Sequence, residues 1–279
     1  MAYNLGELLF EVAKELGLVQ LMSEATGGTT TTVVDTSLDA DSNEFDDSSI
    51  IIFETTDNAD PEFEFKKISS YDSASNTFTV PTLSAAVGSG DKYCVLSAQF
   101  TLLQLIEFIN TGLRALGDIE YVDTTTLDSI EDITEYVSQI GWNKNRPTKI
   151  FIQTLAEASN NLWKEISPDS WTHMLPSLPG ETGLIIFDTP LPAGYDLKII
   201  YRNRHTKVKD FDDNISETIP MNLAIASIKK VIRNYFAQLT QFSDESAKAL
   251  YDDANNNYKE AKNTDKVNTT TSKGKGFNY

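Results

Sequence analysis

The sequence predicts an α+β protein: a helical core of about four helices carries two inserted antiparallel β blocks and ends in an extended C-terminal tail. Four segments place apolar residues at helical spacing, and two segments between them consist of short runs rich in β-branched and aromatic residues. The last residues hold few apolar side chains. Because four amphipathic helices distant in sequence must bury their apolar stripes, one shared helical core with both β blocks as insertions is the economical arrangement.

The first helix is predicted within residues 1–26. Its apolar positions fall on one helical face, and the glycines of TGGTTTT end it; these positions are Leu5, Leu8, Leu9, Val12, Leu16 and Val19. Residues 27–98 form the first predicted β block, because five strand-length runs are separated there by turn residues. Five short strands predict either a small barrel or a sandwich; the runs are 30–38, 49–56, 63–71, 76–80 and 92–96.

The stretch KISSYDSASNTFTVP, residues 66–80, predicts a hairpin inside this block. Phe63 and Phe65 alternate on one face, but Ile68 and Tyr71 fall out of that register, which indicates a bulge near residues 66–67. The DSASN segment supplies turn residues that bond to their own backbone or tolerate a left-handed φ. We expect the role of this hairpin to be architectural.

The rest of the chain repeats the alternation of helix and β block. Residues 99–117 predict a second helix, and residues 118–206 predict a second β block with runs at 135–140, 148–155, 183–190 and 195–202. The prolines and the glycine of TPLPAGYD predict a hairpin that joins the last two runs. Residues 207–262 predict helices 3 and 4, which begin at Pro220 and after the N-cap Ser243.

The chain carries a formal charge of −18, which is unevenly distributed. Residues 262–279 hold four lysines and one aspartate, a net +3, so residues 1–261 carry −21. Such an acidic body argues against binding nucleic acid by neutralising its phosphates. Cys94 is the only cysteine, no run of eighteen apolar residues occurs, and the first residues lack a signal-peptide pattern. We therefore expect a soluble protein, made in the cytoplasm, without a disulfide or a membrane span.

Catalytic patterns are weak in this sequence. The two histidines, His173 and His205, lie near no nucleophile motif, and GSGDKY at 88–93 lacks the third glycine of a dinucleotide-binding loop. Three tryptophans could stack on sugars, although aromatic residues in β blocks are more often core or interface residues; they are Trp142, Trp163 and Trp171. We predict that the protein is not an enzyme and has no cofactor.

Metal-binding patterns are incomplete. DADSNEFDDSSI, residues 39–50, has oxygen-bearing side chains at the first, third and fifth positions of a calcium loop. Glu44 replaces the glycine at position six, and Ile50 replaces the bidentate glutamate at position twelve. A second acidic stretch, KDFDDNIS at 209–216, has no partner cluster with two-metal spacing. The sequence predicts solvated acidic segments at both places, with an adventitious hard-cation site at the first as the alternative.

Several segments, in this order along the chain, carry a family resemblance. They are YNLGELLFEVAKELGL, TTTVVDTSL, ISSYDSASNTFTV, GDKYCV, FTLLQLIEFINTGLRAL, LKIIYR, and the closing helices with their Gly/Lys tail. Together they resemble the head-to-tail adaptor (connector) proteins of tailed bacteriophages. The resemblance implies a structural virion protein of the neck that forms a homo-oligomeric ring, commonly of twelve copies. It also implies that the ring docks beneath the portal, contacts tail or neck proteins, and continues the channel for double-stranded DNA, with no membrane involved.

The charge distribution is compatible with such a role. An acidic body can border a DNA channel without retaining phosphates, since like charges repel. The tail, residues 263–279, could span about 55 Å when extended and so reach a neighbouring subunit or a groove of the portal. Its candidate partner-binding residues are three lysines that would pair with acidic groups and two aromatic anchors: Lys266, Lys273, Lys275, Phe277 and Tyr279. An unbound tail remains the alternative.

Two other functions stay open at this point. The same resemblance extends to other phage structural components, such as a tail, baseplate or tail-completion protein. A glycan-binding protein that stacks sugars on an exposed tryptophan is the second alternative.

Overall fold

A computed structural model describes residues 3–42, 44–124, 127–138, 146–153, 163–175, 182–239 and 245–264. In these residues the chain forms four helices and five antiparallel sheets, so the predicted α+β class is confirmed. The chain divides into two compact units. Unit 1 comprises Met1–Leu116 and Thr206–Tyr279, and unit 2 comprises Gly117–His205, which interrupts unit 1 in sequence.

Unit 1 contains the four helices, which are α1 (Leu5–Glu15), α2 (Leu102–Ala115), α3 (Met221–Leu239) and α4 (Glu245–Thr264). Helix α3 contacts each of the other three. The Asn4 side chain caps α1 by accepting a hydrogen bond from the Glu7 N–H at 2.8 Å, and Thr101 begins α2 with a capping box. Helices α2 and α3 approach closely at Gly112, where a Cβ would lie only 2.6 Å from the Ile228 Cγ1.

Ten short strands complete the described part of unit 1. They are β1 (Tyr3–Asn4), β2 (Val19–Glu24), β3 (Gly27–Thr29), β4 (Thr32–Val34), β5 (Ser49–Glu54), β6 (Phe65–Lys67), β7 (Ser70–Asp72), β8 (Thr77–Thr79), β9 (Lys92–Leu96) and β17 (Asn214–Ile215). Strands β1 and β17 pair with each other, while the other eight form sheets of order β2-β9-β5-β6 and β3-β4-β8-β7.

The two four-stranded sheets of unit 1 are joined into a ring of paired strands. Strand β2 runs into β3, and the backbone hydrogen bonds continue at the junction from the Ala25 N–H to Asp91 and from the Thr26 N–H to Val34. Strand β6 runs into β7 in the same way, through the Ile68 and Ser69 N–H groups. The strands therefore enclose a barrel-like core, whose fully buried residues include Val33, Ile50, Ile52, Phe78, Tyr93 and Val95.

The hairpin predicted at residues 66–80 is confirmed as β7 and β8, with Tyr71 opposite Phe78. Its turn uses the expected chemistry, because the Asp72 carboxylate accepts the Ala74 N–H and Asn76 adopts a φ of 51°. The bulge predicted at residues 66–67 is wrong. Strand β6 pairs regularly with β5, and the register changes at Ile68, where the chain passes from one sheet to the other.

The first helix is shorter than its predicted segment, residues 1–26. It ends at Glu15, and Gly17 then takes a φ of 67°, a left-handed conformation that glycine adopts without strain. Residues from Val19 to Glu24 form β2 and alternate between half-buried and exposed. Val19 fitted the apolar stripe of the predicted helix because the helical period of 3.6 residues and the strand period of 2 residues coincide at some spacings.

Unit 2 is built from two sheets that share one core. The four-stranded sheet has the order β10-β16-β12-β13, and the three-stranded sheet has the order β11-β15-β14. Apolar side chains from both sheets form one buried cluster. The strands are β10 (Asp118–Asp123), β11 (Glu135–Val137), β12 (Lys149–Gln153), β13 (Trp163–Glu165), β14 (Trp171–Met174), β15 (Leu184–Phe187) and β16 (Leu197–Arg204).

The second predicted hairpin, between residues 183–190 and 195–202, is wrong. Strand β15 pairs with β11 and β14, whereas β16 pairs with β10 and β12, so TPLPAGYD connects two different sheets. Ile185 of β15 and Leu197 of β16 belong to the same buried cluster. Two facing sheets bury such residues between them, so the chain passes from one sheet to the facing sheet instead of turning back within one sheet.

The C-terminal prediction is changed in one detail. Asn263 and Thr264, which begin the predicted tail, are the last residues of α4. Residues 265–279 lie outside the described residues. No helix in the described part of the chain has the length and hydropathy required to cross a membrane.

Candidate functional site

Asp35 is a fully buried carboxylate in the barrel of unit 1. It accepts hydrogen bonds from the Ser23 hydroxyl at 2.5 Å, the Tyr93 hydroxyl at 2.8 Å, and the Ser37 N–H and hydroxyl at 3.0 and 2.6 Å. Burial alone would raise the pKa of Asp35, but these hydrogen bonds together lower it. All four bonds come from the protein itself, so Asp35 stabilises the barrel and has no free lone pair directed at a ligand pocket.

Two further buried carboxylates also stabilise loops of unit 1. Asp91 accepts the Gly88 N–H at 2.7 Å and the Thr56 N–H at 2.9 Å, and these bonds hold the turn at GSGDKY, residues 88–93. Glu64 accepts the Ser84 N–H and hydroxyl, both at 2.8 Å, and pairs with Lys66 at 2.7 Å. The buried acidic groups of this unit therefore serve its own turns.

The two acidic stretches of the sequence do not form a metal centre in the described residues. No group of three or more His, Cys, Asp or Glu side chains with metal-binding geometry occurs there. In the loop 39–50, the Asp41 N–H donates to the Glu44 carboxylate at 3.3 Å, and Asn43 lies outside the described residues. Asp213 accepts the N–H groups of Lys209 and Asp210, and these bonds lower the pKa of Asp213.

The segment around Asp213 also has a structural role. The backbone carbonyls of Phe211 and Asp213 accept the Gly6 and Leu5 N–H groups, both at 2.9 Å. These N–H groups belong to the first turn of α1 and have no acceptor within the helix. Asp210, Asp212 and Asp213 thus lie on the segment that supplies hydrogen-bond acceptors to the first N–H groups of α1.

The two histidines and the two tryptophans that the structure describes lie in unit 2. Trp171 is buried in the core, with the Arg146 guanidinium 4.5 Å from its ring centroid, and Lys198 lies 5.6 Å from the ring of the half-buried Trp163. Burial and the nearby Arg146 charge lower the pKa of His173, which keeps its imidazole neutral at pH 7. His205 is buried at the end of β16. Trp142 lies outside the described residues.

Exposed acidic residues gather around the β7–β8 hairpin of unit 1. The Ser42 hydroxyl of the acidic loop lies 2.8 Å from the Ser73 hydroxyl at the hairpin turn. The pKa of Tyr71 is raised by burial and then by four surrounding charges, those of Asp35, Glu44, Asp39 and Asp72. A cleft of about 480 Å³ adjoins this loop and is lined by Phe45, Asp47, Lys67, Ile68, Ser70 and Pro81. This surface is therefore acidic and repels phosphates.

A second surface lies on the three-stranded sheet of unit 2. Val137 of β11 is opposite Leu184 of β15, and Leu184 is opposite Met174 of β14. Directly opposed residues point to the same face of a sheet, so these three side chains form one row. Val137 and Met174 are half exposed, and the adjacent Leu175 is 57% exposed. We call this surface, with Ile186 and Thr172 beside the row, the outer apolar face.

Neither surface was predicted as a site from the sequence. The predicted partner-binding residues Lys266, Lys273, Lys275, Phe277 and Tyr279 all lie outside the described residues, so the structure does not place them. The sequence of β11 contains one local indication of the outer apolar face. Val137 is apolar although it follows buried Tyr136 and therefore points to the opposite face of the strand. Its neighbours in the row come from strands more than thirty residues away.

Comparisons with known proteins add no family to this description. No protein-family model matches the chain, and no curated protein or solved structure is significantly similar to it.

Proposed function

We propose that the protein is a structural component of a tailed-bacteriophage virion, a head-to-tail adaptor that forms a ring between the portal and the tail. In this proposal the helices act as the scaffold of the subunit, the β units supply contacts to other proteins, and the C-terminal tail reaches a neighbour. The support is the ordered set of segments that resemble this family, together with the charge and surface properties of the chain.

The observation that carries the proposal is the way in which the carboxylates are used. Buried Asp35, Glu64 and Asp91 are occupied by hydrogen bonds within the fold, while the remaining acidic excess contributes to a chain charge of −18. Exposed acidic residues such as Asp39 and Asp41 are accessible to other molecules. A channel component needs such a surface, because DNA has to pass without binding to it.

A different position in the same virion is the second candidate. A tail, baseplate or tail-completion protein would have the same requirements for protein contacts. A glycan-binding function receives less support, since Trp171 is buried in the core and Trp163 is already covered in part by Lys198. A flat, exposed tryptophan face is what a sugar-stacking site requires.

The proposal is tested with the purified full-length chain and the assembled portal of the phage that encodes it. We expect a complex of ring stoichiometry by native mass spectrometry, with several copies of the chain per portal. Preferential binding to a tail-tube or baseplate protein would support the second candidate. Absence of binding to any virion protein, with saturable binding to a glycan, would overturn both.

The role of the tail is tested with a charge-matched pair of variants. Replacing Lys266, Lys273 and Lys275 by Gln removes three positive charges from the predicted partner-binding segment. The control replaces Lys164, Lys209 and Lys259, three exposed lysines elsewhere, by Gln. We expect portal affinity to fall at least tenfold in the first variant and to change little in the control. Equal effects of the two variants would show that only net charge matters.

A further inference from the structure

Strand β14 lies at one edge of the three-stranded sheet of unit 2. Its residues, Trp171–Met174, pair with β15 alone among the described strands. Because alternate residues of a strand point to the same face, Trp171 and His173 both point into the core. Trp171 is buried there, and His173 stands opposite the fully buried Ile185. The imidazole of His173 therefore lies against the apolar interior of unit 2.

The imidazole has no hydrogen bond in this position. Both ring nitrogens of His173 are shielded from solvent and have no partner in the described part of the chain. The indole N–H of Trp171, two residues away, is buried without an acceptor as well. Buried polar groups are nearly always hydrogen-bonded, so this pair of side chains is an exception. A protonated imidazole carries a charge and two N–H donors, and it would fit this closed position less well than the neutral ring does.

The charge nearest to this pair is positive. The Arg146 guanidinium lies 4.5 Å from the ring centroid of Trp171. Burial and then the repulsion from Arg146 lower the pKa of His173. Arg146 itself is exposed and keeps its charge throughout the physiological pH range.

The strands packed around His173 supply no compensating negative charge in the described residues. Strands β14 and β15 contain no further charged side chain. The titratable groups that share the buried cluster are tyrosine hydroxyls, which are uncharged below about pH 8; they belong to Tyr136, Tyr195 and Tyr201. Charged residues of β11, β12 and β16 alternate with residues of this cluster and so point away from it; they include Glu135, Lys149 and Lys198.

We propose that His173 makes the β14 edge of unit 2 sensitive to pH: below about pH 6.5 the imidazole takes up a proton, and β14 separates from β15 so that the imidazolium reaches water. Local opening is favoured over unfolding of the whole unit because β14 is short, pairs on one side only and exposes Thr172 and Met174 on its outer face. This inference goes beyond the proposed function and requires no virion partner.

The direction of the pH effect follows from proton binding. The closed strand disfavours the proton, so the opened strand binds it more tightly. The closed form is therefore most stable above the ordinary histidine pKa of about 6.5 and loses stability as the pH falls below that value. A single proton can raise the opening equilibrium constant by at most about tenfold for each pH unit.

The test is hydrogen exchange of the full-length chain at pH 7.5, 6.5 and 5.5, with rates corrected for the intrinsic pH dependence of exchange. We expect the protection of a peptide that covers β14 to fall at least threefold between pH 7.5 and pH 5.5. A peptide from α2 of unit 1 is the internal reference and should keep its protection. An NMR titration of the His173 ring in the unmodified chain should give a pKa below the ordinary histidine value.

Histidine variants assign the response to one residue. His173→Gln and His173→Leu each remove the proton-binding group and should make the protection of β14 independent of pH over this range. The matched control is His205→Gln, which removes the other histidine of the chain, also buried in unit 2, and should leave the response intact. A response that persists in either folded His173 variant, or that is lost in His205→Gln, would overturn the proposal. Should neither His173 variant fold, an ordinary or raised pKa of His173 in the unmodified chain, or unchanged protection of β14, would overturn it.

Discussion

Replacing Asp35 by Asn tests whether this buried carboxylate organises the barrel of unit 1. The substitution keeps the shape of the side chain and removes its charge. Ser37 donates to Oδ1, whereas Ser23 and Tyr93 donate to Oδ2. In the variant an amide N–H₂ replaces one of these oxygens, so at least two donors lose their acceptor or must rotate to accept.

The size of the effect follows from those bonds. A hydrogen bond to a charged group contributes about 1.5–3 kcal/mol to stability, and part of this is recovered when a hydroxyl rotates to accept from the amide. We therefore expect Asp35→Asn to lower the free energy of unfolding by about 2–4 kcal/mol at pH 7. Asp39→Asn removes the same charge from an exposed loop position and should change it by less than about 0.5 kcal/mol.

The pH dependence provides a second readout. The folded-state pKa of Asp35 is lowered, so its contribution to stability is fully present above the unfolded-state pKa of about 3.9 and is lost as the pH falls through the folded-state value. The gap between the unmodified chain and Asp35→Asn should therefore shrink as the pH falls below about 4. The assay is urea unfolding followed by circular dichroism at pH 7 and at low pH.

Hydrogen exchange then locates the effect. Peptides from β5 and β9 should exchange faster in Asp35→Asn, because Tyr93 in β9 loses its acceptor. Peptides from β12 and β16 of unit 2 serve as the internal reference. The structural role of the Asp35 carboxylate is refuted if Asp35→Asn is no less stable than Asp39→Asn at pH 7. It is also refuted if the stability gap is the same at low pH as at neutral pH.

Two further predictions concern the helices of unit 1. Gly112→Val should lower the free energy of unfolding by about 1–3 kcal/mol through overpacking, because a Cβ at this position would lie 2.6 Å from the Ile228 Cγ1 and 2.9 Å from the Ile228 Cα. Chemical denaturation measures the change, and the control is Thr111→Val at the exposed neighbouring position. Asn110→Asp should lower the free energy of unfolding by about 2–4 kcal/mol and should speed hydrogen exchange near Val208. The Asn110 amide donates a hydrogen bond to the Val208 carbonyl at 2.8 Å, and a buried carboxylate cannot donate this bond. Asn256→Asp, at an exposed position of α4, should leave both measurements unchanged.

Local features of the chain were predictable because they depend on residues close in sequence. The apolar stripe and the capping box of α2 define that helix from residues within one or two turns, and the DSASN turn needs only its own side chains. The same local logic failed at Val19, where the helical and strand periods coincide and pairing with β9 decides the outcome. The position of Gly17, with its left-handed φ, was the sequence signal for that boundary.

The candidate surfaces depended on contacts between distant segments. The outer apolar face exists only because β15 lies between β11 and β14, which sets Val137 and Met174 on one row although 37 positions separate them in sequence. Likewise, the structural role of Asp35 depends on the fold, which brings the Tyr93 hydroxyl of β9 within hydrogen-bond distance of its carboxylate.

The sequence by itself determined the α+β class, most helices and strands, and the acidic character of the chain, because periodicity, caps and composition act locally. Only the tertiary structure decided which strands pair, which carboxylates are buried and which apolar residues stay exposed. Strand partners are selected by the burial of side chains that meet across the fold, and no local pattern encodes that choice.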